Sequence, residues 1–162
     1  MQTTLRDLRC ELSRHSVKVE LPAAPLLARL DFSLLQQALA NLLLNAAMHT
    51  PPGTVIEIRA ALEGDALTLS VGDRGPGLAA DLLPRIFDKF ARGVNAPTGG
   101  SGLGLAIVKG FVEAHHGTVT AANRPGGGVL FTMSLPQSVK APPAEPIPCR
   151  REIHARPRRP GH

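Results

Sequence analysis

Residues 99–109 read Gly-Gly-Ser-Gly-Leu-Gly-Leu-Ala-Ile-Val-Lys, a glycine-rich loop that runs directly into an apolar helical pattern. Glycine has no Cβ, so the backbone N–H groups of such a loop can approach a ligand closely. A helix predicted to begin near Leu103 adds unpaired donors and the positive end of its dipole. Together these features favour a phosphate. A mobile lid or a tight packing corner explains the same glycines, so the prediction depends on the rest of the chain.

A long helix is predicted upstream of this loop, from Phe32 to His49. Asp31 is a suitable N-cap, and Pro51 prevents the helix from continuing. Asn41 and Asn45 lie one turn apart, beside the leucine stripe that forms the core face. Asparagine is unfavourable inside helices unless its amide finds a partner. Either a ligand or the neighbouring backbone can be that partner.

A carboxylate follows the second strand of a predicted hairpin, in the stretch Gly72-Asp73-Arg74-Gly75-Pro76-Gly77. An ionised aspartate only accepts hydrogen bonds, so Asp73 suits the amino group of a ligand. The alternative is an Asx turn, in which Asp73 satisfies its own loop.

The remaining patterns complete an α+β fold. Period-two alternation predicts a first strand and two hairpins, and apolar clusters predict two more helices. The strands are expected at 17–21, 54–60, 66–71, 118–122 and 129–135, and the two further helices at 82–92 and 103–116. This order predicts a two-layer sandwich with one mixed sheet and its helices on a single face.

The predicted domain runs from residue 15 to 139. Residues 1–14 are expected to be the end of an upstream helix or a linker, and the Pro- and Arg-rich residues 140–162 are expected to be disordered. This tail holds six of the 18 basic and two of the 13 acidic residues, so the preceding residues carry a net charge of only +1. Nucleic-acid binding is therefore not expected.

Other classes of protein are also disfavoured by the composition. Cys10 and Cys149 have no neighbours at disulfide or zinc-ligand spacing. No apolar run is long enough to span a membrane, and the first residues lack the pattern of a secretory signal. A cytoplasmic location without membrane contact is the expectation that follows.

Four separated motifs together resemble the ATP-binding catalytic domain of sensor histidine kinases, whose fold is shared with DNA gyrase, MutL and the ninety-kilodalton heat-shock chaperone. Residues 41–46 resemble the N box, 73–77 the G1 box, 86–90 the F box and 100–105 the G2 box. Within the kinases, the F box and the turn Asn-Arg-Pro-Gly-Gly-Gly at 123–128 are similar to those of KdpD, the potassium-responsive sensor kinase.

The resemblance implies binding of ATP and Mg²⁺. Asn45 would ligate Mg²⁺, with Asn41 beside it, and Asp73 would accept from the adenine amino group. His49 stands where the family commonly has an aromatic residue or His and would stack near the nucleotide. Further contacts to the base and the phosphates would come from Gly75, Gly77, Lys89, Arg92, Gly100, Gly102, Leu103 and Gly104. Met48 stands where the family commonly has Lys or Arg, so one phosphate contact is lost or supplied by another residue.

The resemblance also implies phosphotransfer instead of hydrolysis. The related ATPases place a glutamate four residues before the metal-binding asparagine, and here that residue is Asn41, whose amide cannot take a proton. His15 lacks the sequence context of a phosphoacceptor, so no catalytic residue is assigned in this chain. The expected partners are a histidine-containing dimerisation domain and, through it, a response regulator. A serine kinase of the anti-sigma-factor type and a nucleotide-binding regulatory module without transfer activity stay open as alternatives.

Overall fold

The computed structural model describes residues 2–23, 28–91 and 102–137 of the 162-residue chain. Arg92, Gly100 and the tail 140–162 lie outside the described residues. The described elements, in chain order, are α1 (Gln2–Asp7), α2 (Arg9–Leu12), β1 (Ser16–Glu20), α3 (Phe32–His49), β2 (Val55–Glu63), β3 (Ala66–Gly72), α4 (Gly104–Ala114), β4 (Thr118–Asn123) and β5 (Val129–Pro136).

The five strands form one mixed sheet in the order β1-β2-β3-β5-β4. β1 runs parallel to β2, and the other neighbouring pairs are antiparallel. The predicted α+β class and the mixed sheet are therefore confirmed. The strands and the two long helices lie within a few residues of their predicted bounds.

Alternation along the strands produces one buried and one solvated sheet face. Ile56 and Ile58 of β2 and Phe131 and Met133 of β5 are buried, and helices α3 and α4 contribute to the same core. Residues of opposite phase, such as Ser70 of β3, are partly exposed. Burial of one sheet face under two helices is the main source of stability, since apolar burial contributes about 25 cal/mol per Å².

Helix α3 begins as the sequence predicts. The Asp31 side chain accepts a hydrogen bond from the Leu34 N–H at 3.0 Å, which is the interaction of an N-cap residue. Asp31 also donates its own N–H to Nε2 of His115 at 3.1 Å. The start of α3 is thereby tied to the end of α4.

The predicted helix over 82–92 is wrong for its described part. Only Leu83–Arg85 form a short 3-10 turn, and the following backbone bonds, such as Asp88 N–H to Arg85 O at 2.9 Å, span three residues. Pro84 lacks an N–H for an α-helical ladder. Phe90 has a positive φ of 65°, which a continuing helix does not allow.

The N-terminal residues form two short helices, α1 and α2. Leu12 of α2 is buried in the common core, and Leu5 and Leu8 pack against it. In the described part of the chain, no helix is both long enough and apolar enough to cross a membrane.

Candidate functional site

Asn41 lies where helix α3 meets the first residue of α4. A Cβ on Gly104 would be 3.2 Å from Asn41 Oδ1, so glycine at this position allows the close approach of the two helices. Asn41 and Asn45 are both half-buried. Within the described ranges, no hydrogen bond engages either amide side chain. Both amides are therefore available to a ligand.

The two carboxylate oxygens of Asp73 differ, because one is hydrogen-bonded to the backbone of the loop and the other is not. Asp73 is only 5% exposed. Its Oδ1 accepts hydrogen bonds from the N–H groups of Gly75 at 2.8 Å and Val129 at 3.3 Å. The Asx turn considered from the sequence is thus present. Oδ2 accepts no hydrogen bond from any residue that the structure describes. One oxygen holds the loop, and the other can accept from a ligand's amino group.

Thr50 connects this loop to helix α3. A Cβ on Gly75 would be 2.6 Å from Thr50 Cγ2, so Gly75 packs directly on that methyl group. The Thr50 hydroxyl donates to the Ala46 carbonyl at 2.7 Å. Since Ala46 follows Asn45, the Asp73 loop and the asparagine-bearing helix are held against each other.

His15 makes a second contact to Thr50, with 3.1 Å between its Nε2 and Oγ1. Because the Thr50 hydroxyl donates to Ala46, His15 must donate through Nε2 in this tautomer. Its Nδ1 is buried without a hydrogen-bond partner among the described residues. A cavity of about 430 Å³ lies beside His15 and is also lined by Cys10, Arg14 and Thr50.

Of the other predicted phosphate-binding residues that the structure describes, Gly102 and Leu103 come directly before α4, and Lys89 is next to Phe90, which is hydrogen-bonded to Gly102. Gly102 has a φ of 68°, and its carbonyl accepts from the Phe90 N–H at 2.9 Å, which joins the F-box segment to the glycine loop. Leu103 is the residue before α4, and Lys89 is exposed. His49 is the exposed last residue of α3.

Gly77 lies in a turn that the Asn123 side chain holds in place, an interaction that the sequence did not predict. Its φ is 84°, and a Cβ would be 3.0 Å from Oδ1 of Asn123. The Asn123 side chain accepts from the Leu78 N–H and donates to the Leu78 carbonyl, both at 2.8 Å. Asn123 is therefore a positioning residue for the glycine turn after Asp73. Its only sequence signal is its place before a glycine-rich hairpin turn.

Arg124 was also missed, although it touches Asp73 itself. One guanidinium nitrogen lies 3.1 Å from the Asp73 carbonyl oxygen, and another lies 2.8 Å from Glu57 Oε2 on β2. This hydrogen bond from Arg124 is the main cause that lowers the pKa of Glu57 below its ordinary value of 4.5, against the opposing effect of desolvation.

We expect the Glu57 interaction to stabilise the fold in a pH-dependent way. A carboxylate with a lowered pKa contributes stability above its unfolded-state pKa, and this contribution is lost as the pH falls through the folded-state pKa. Urea unfolding should show a constant stability difference between the wild type and Glu57→Gln from neutral pH to roughly pH 5, with the difference shrinking at lower pH. The exposed Glu113→Gln is the control. A difference that does not vary with pH would contradict the assignment.

Gly128 is required by the close approach of its turn to Asp73. Its φ is 96°, and a Cβ there would collide with the Asp73 carbonyl oxygen. Gly126 has a φ of 80° but open space around its Cβ position. We expect Gly126→Ala to cost about 1–2 kcal/mol from backbone strain alone. Gly128→Ala should cost more than about 3 kcal/mol, because overpacking against backbone adds to strain. Equal losses in chemical denaturation would argue against this contact.

Comparisons with known proteins show the family to which the chain belongs. A family model described as histidine kinase-, DNA gyrase B- and HSP90-like ATPase matches residues 30–139. The chain is 44% identical over 122 residues to the sensor protein KdpD of Escherichia coli K12, and 37% identical over 128 residues to the sensor protein KdpD of Clostridium acetobutylicum. These alignments cover 75% and 77% of this chain but only 14% of each relative.

A solved structure shows the same fold. The mycobacterial sensor histidine kinase MprB superimposes with a TM-score of 0.76 at 30% identity, covering 83% of this chain and 91% of that one. The family match extends over helix α3, the Asp73 loop and helix α4. The chain therefore belongs to the histidine kinase-, DNA gyrase B- and HSP90-like ATPase family, as a catalytic domain of the sensor histidine kinase type.

Proposed function

We propose that this chain binds MgATP between helix α3, the Asp73 loop and the start of α4, and that it donates the γ-phosphate to a histidine on a separate dimerisation domain. The observation that carries the proposal is the pair of unused acceptors on Asn45 and Asp73. They belong to two segments that Thr50 holds together. Free polar groups on two segments that are packed together suit a ligand with a base at one end and phosphates at the other.

At the base end, Oδ2 of Asp73 would accept from the adenine amino group. Oδ1 is already fixed by two backbone N–H groups, so the carboxylate need not reorganise when the nucleotide arrives. Guanine presents a carbonyl oxygen at the same position and would meet a negative charge. The loop is therefore expected to select adenine.

At the phosphate end, Asn45 would be the protein's magnesium ligand. Its amide oxygen is a hard ligand, and Mg²⁺ is usually held by one or two protein oxygens together with phosphates and water. The described ranges contain no cluster of three His, Cys, Asp or Glu residues that could hold a metal ion. A half-buried, unengaged amide one helical turn after Asn41, which itself contacts Gly104 at the start of α4, fits a metal that brings its other ligands with the nucleotide. When bound, Mg²⁺ would neutralise charge on the phosphates.

This chain's residues would position ATP and would not activate water. The Asn41 amide beside Gly104 cannot act as a general base. Lys89 and Arg92 are proposed to reach the γ-phosphate, and the segment around Gly100 and Gly102 to cover the phosphates. The acceptor imidazole would come from the dimerisation domain, which passes the phosphate to a response regulator. We place this activity in the cytoplasm, where ATP is available.

Transfer of label from γ-labelled ATP tests the proposal. The isolated chain should acquire no label, whereas a separately made histidine-containing dimerisation domain should acquire an acid-labile one in its presence. Asn45→Ala, which lacks the proposed metal ligand, should give no transfer and serves as the control. Label on the isolated chain, or acid-stable label on a serine of an antagonist protein, would refute the histidine-kinase assignment. Nucleotide binding with no acceptor ever labelled would favour a regulatory module.

A further inference from the structure

Arg124 occupies a position behind Asp73 that the proposed chemistry does not explain. Its guanidinium lies between the Asp73 carbonyl oxygen at 3.1 Å and Glu57 Oε2 at 2.8 Å. The side chains of Arg124 and Glu57 are only 13% and 19% exposed. A largely buried ion pair destabilises the fold unless its geometry is good and its remaining donors are satisfied. The presence of such a pair next to the proposed base-binding loop therefore needs a physical explanation.

Gly72, which has no side chain, leaves room for the Arg124 guanidinium. A Cβ on Gly72 would be 2.9 Å from Arg124 Nη1, so a larger residue here would push the guanidinium out of its present position. The Arg124 backbone is fixed as well, because its N–H donates to the Gly128 carbonyl at 2.9 Å and its carbonyl accepts from Gly127 at 3.1 Å. The guanidinium is thus held in place before any ligand arrives.

The other contacts of Asp73 show what Arg124 adds. The Asp73 N–H donates to the Val129 carbonyl at 2.9 Å, and Oδ1 accepts from backbone N–H groups. In the part of the chain that the structure describes, Arg124 is the side chain that binds the Asp73 carbonyl. Glu57 anchors the other side of the guanidinium to the central part of the sheet. Together they determine where the peptide group of Asp73, and hence its free Oδ2, is located.

We propose that Arg124, anchored by Glu57, is a positioning residue that sets the Asp73 carboxylate for recognition of the purine amino group. The inference rests on the proposed function, in which Asp73 receives that group. Arg124 would act through Asp73 without touching the nucleotide. Its loss should therefore impair the distinction between purines that carry the amino group and purines that lack it.

The test compares calorimetric binding of MgATP and of purine riboside triphosphate, which lacks the 6-amino group. The wild-type chain should bind MgATP at least about tenfold more tightly, because a hydrogen bond to a charged group contributes roughly 1.5 kcal/mol or more. In Arg124→Ala, affinity for MgATP should fall about tenfold, while affinity for purine riboside triphosphate changes less than about twofold. Arg124→Lys should recover part of the discrimination, since a single ammonium group cannot bridge both partners.

Arg74→Ala is the matched control. It removes the same charge from the residue next to Asp73, but among the described residues the Arg74 guanidinium makes its hydrogen bond to the Pro125 carbonyl, at 3.4 Å, and acts on Glu57 only through its charge. Discrimination should be unchanged in this variant. If Arg124→Ala does not fold, Glu57→Gln provides the second variant, because it keeps an acceptor oxygen while weakening the anchor, and its discrimination should fall below that of the wild type.

Two results would overturn the inference: equal weakening of both nucleotides in a folded Arg124 or Glu57 variant, or full discrimination in it. The first would mean that the ion pair only stabilises the fold, and the second that Asp73 needs no such support. A wild-type chain that binds neither nucleotide, or both equally, would instead refute the proposed role of Asp73 and the inference with it.

Discussion

Asn45→Ala should abolish the magnesium-dependent part of ATP binding. Asn45 is the proposed protein ligand of Mg²⁺, and its amide is half-buried and unengaged in the described structure. Loss even of a group that only orients a metal ligand commonly costs 10–100-fold in affinity, so loss of the ligand itself should cost at least about 100-fold. Calorimetry with ATP in excess Mg²⁺ and in EDTA measures the effect. In EDTA the variant and the wild type should be alike.

Gln37→Ala is the matched control for this substitution. Gln37 lies on the same helix, two turns before Asn45, and is exposed. Removing its amide should leave binding unchanged in both conditions. Unchanged magnesium dependence in Asn45→Ala would show that the metal is held elsewhere, and a similar loss in Gln37→Ala would point to a general effect on helix α3.

Asp73→Asn should reverse the base preference of the site while leaving the loop intact. The asparagine oxygen can still accept from Gly75 and Val129, which Oδ1 of Asp73 does now at 2.8 and 3.3 Å. An NH₂ group would then replace the free oxygen and face the adenine amino group donor to donor. ATP affinity should fall roughly 10- to 150-fold, the equivalent of a hydrogen bond to a charged group. GTP, whose purine carbonyl can accept from the new NH₂, should bind more tightly than before.

The control for this substitution is Asp65→Asn, in the exposed turn between β2 and β3. It makes the same chemical change far from the proposed site and should alter neither affinity. Thermal unfolding of Asp73→Asn should stay close to that of the wild type, because the backbone hydrogen bonds are retained. A variant that still prefers ATP over GTP by the wild-type ratio would contradict the assignment of Oδ2.

Local patterns in the sequence predict the sheet and the long helices well. The period-two alternation of β5 requires that Phe131 and Met133 share a face, and both are buried. The Asp31 cap and Pro51 determine the bounds of α3, and the N-cap hydrogen bond is observed. These features depend on neighbours within a few residues, which is why they can be predicted without the fold.

The errors and omissions depend on contacts between distant residues. The segment 82–91 has helical composition, but the bond between Phe90 and Gly102 holds its end in a turn. Arg124 and Glu57 are 67 residues apart in the chain, and their pairing follows only from the order of the strands. The same holds for Asn123 and Leu78. The sequence therefore indicates the groups that we propose to face the ligand, whereas the residues that position them appear only in the folded structure.

NMR titration of the isotopically labelled chain tests most directly where ATP binds. With MgATP, the largest shifts should fall on the side-chain amide of Asn45 and on the backbone amides of Gly75, Gly77 and Gly104. The account would be contradicted if those signals stayed in place while Cys10 and His15, beside the N-terminal cavity, shifted instead.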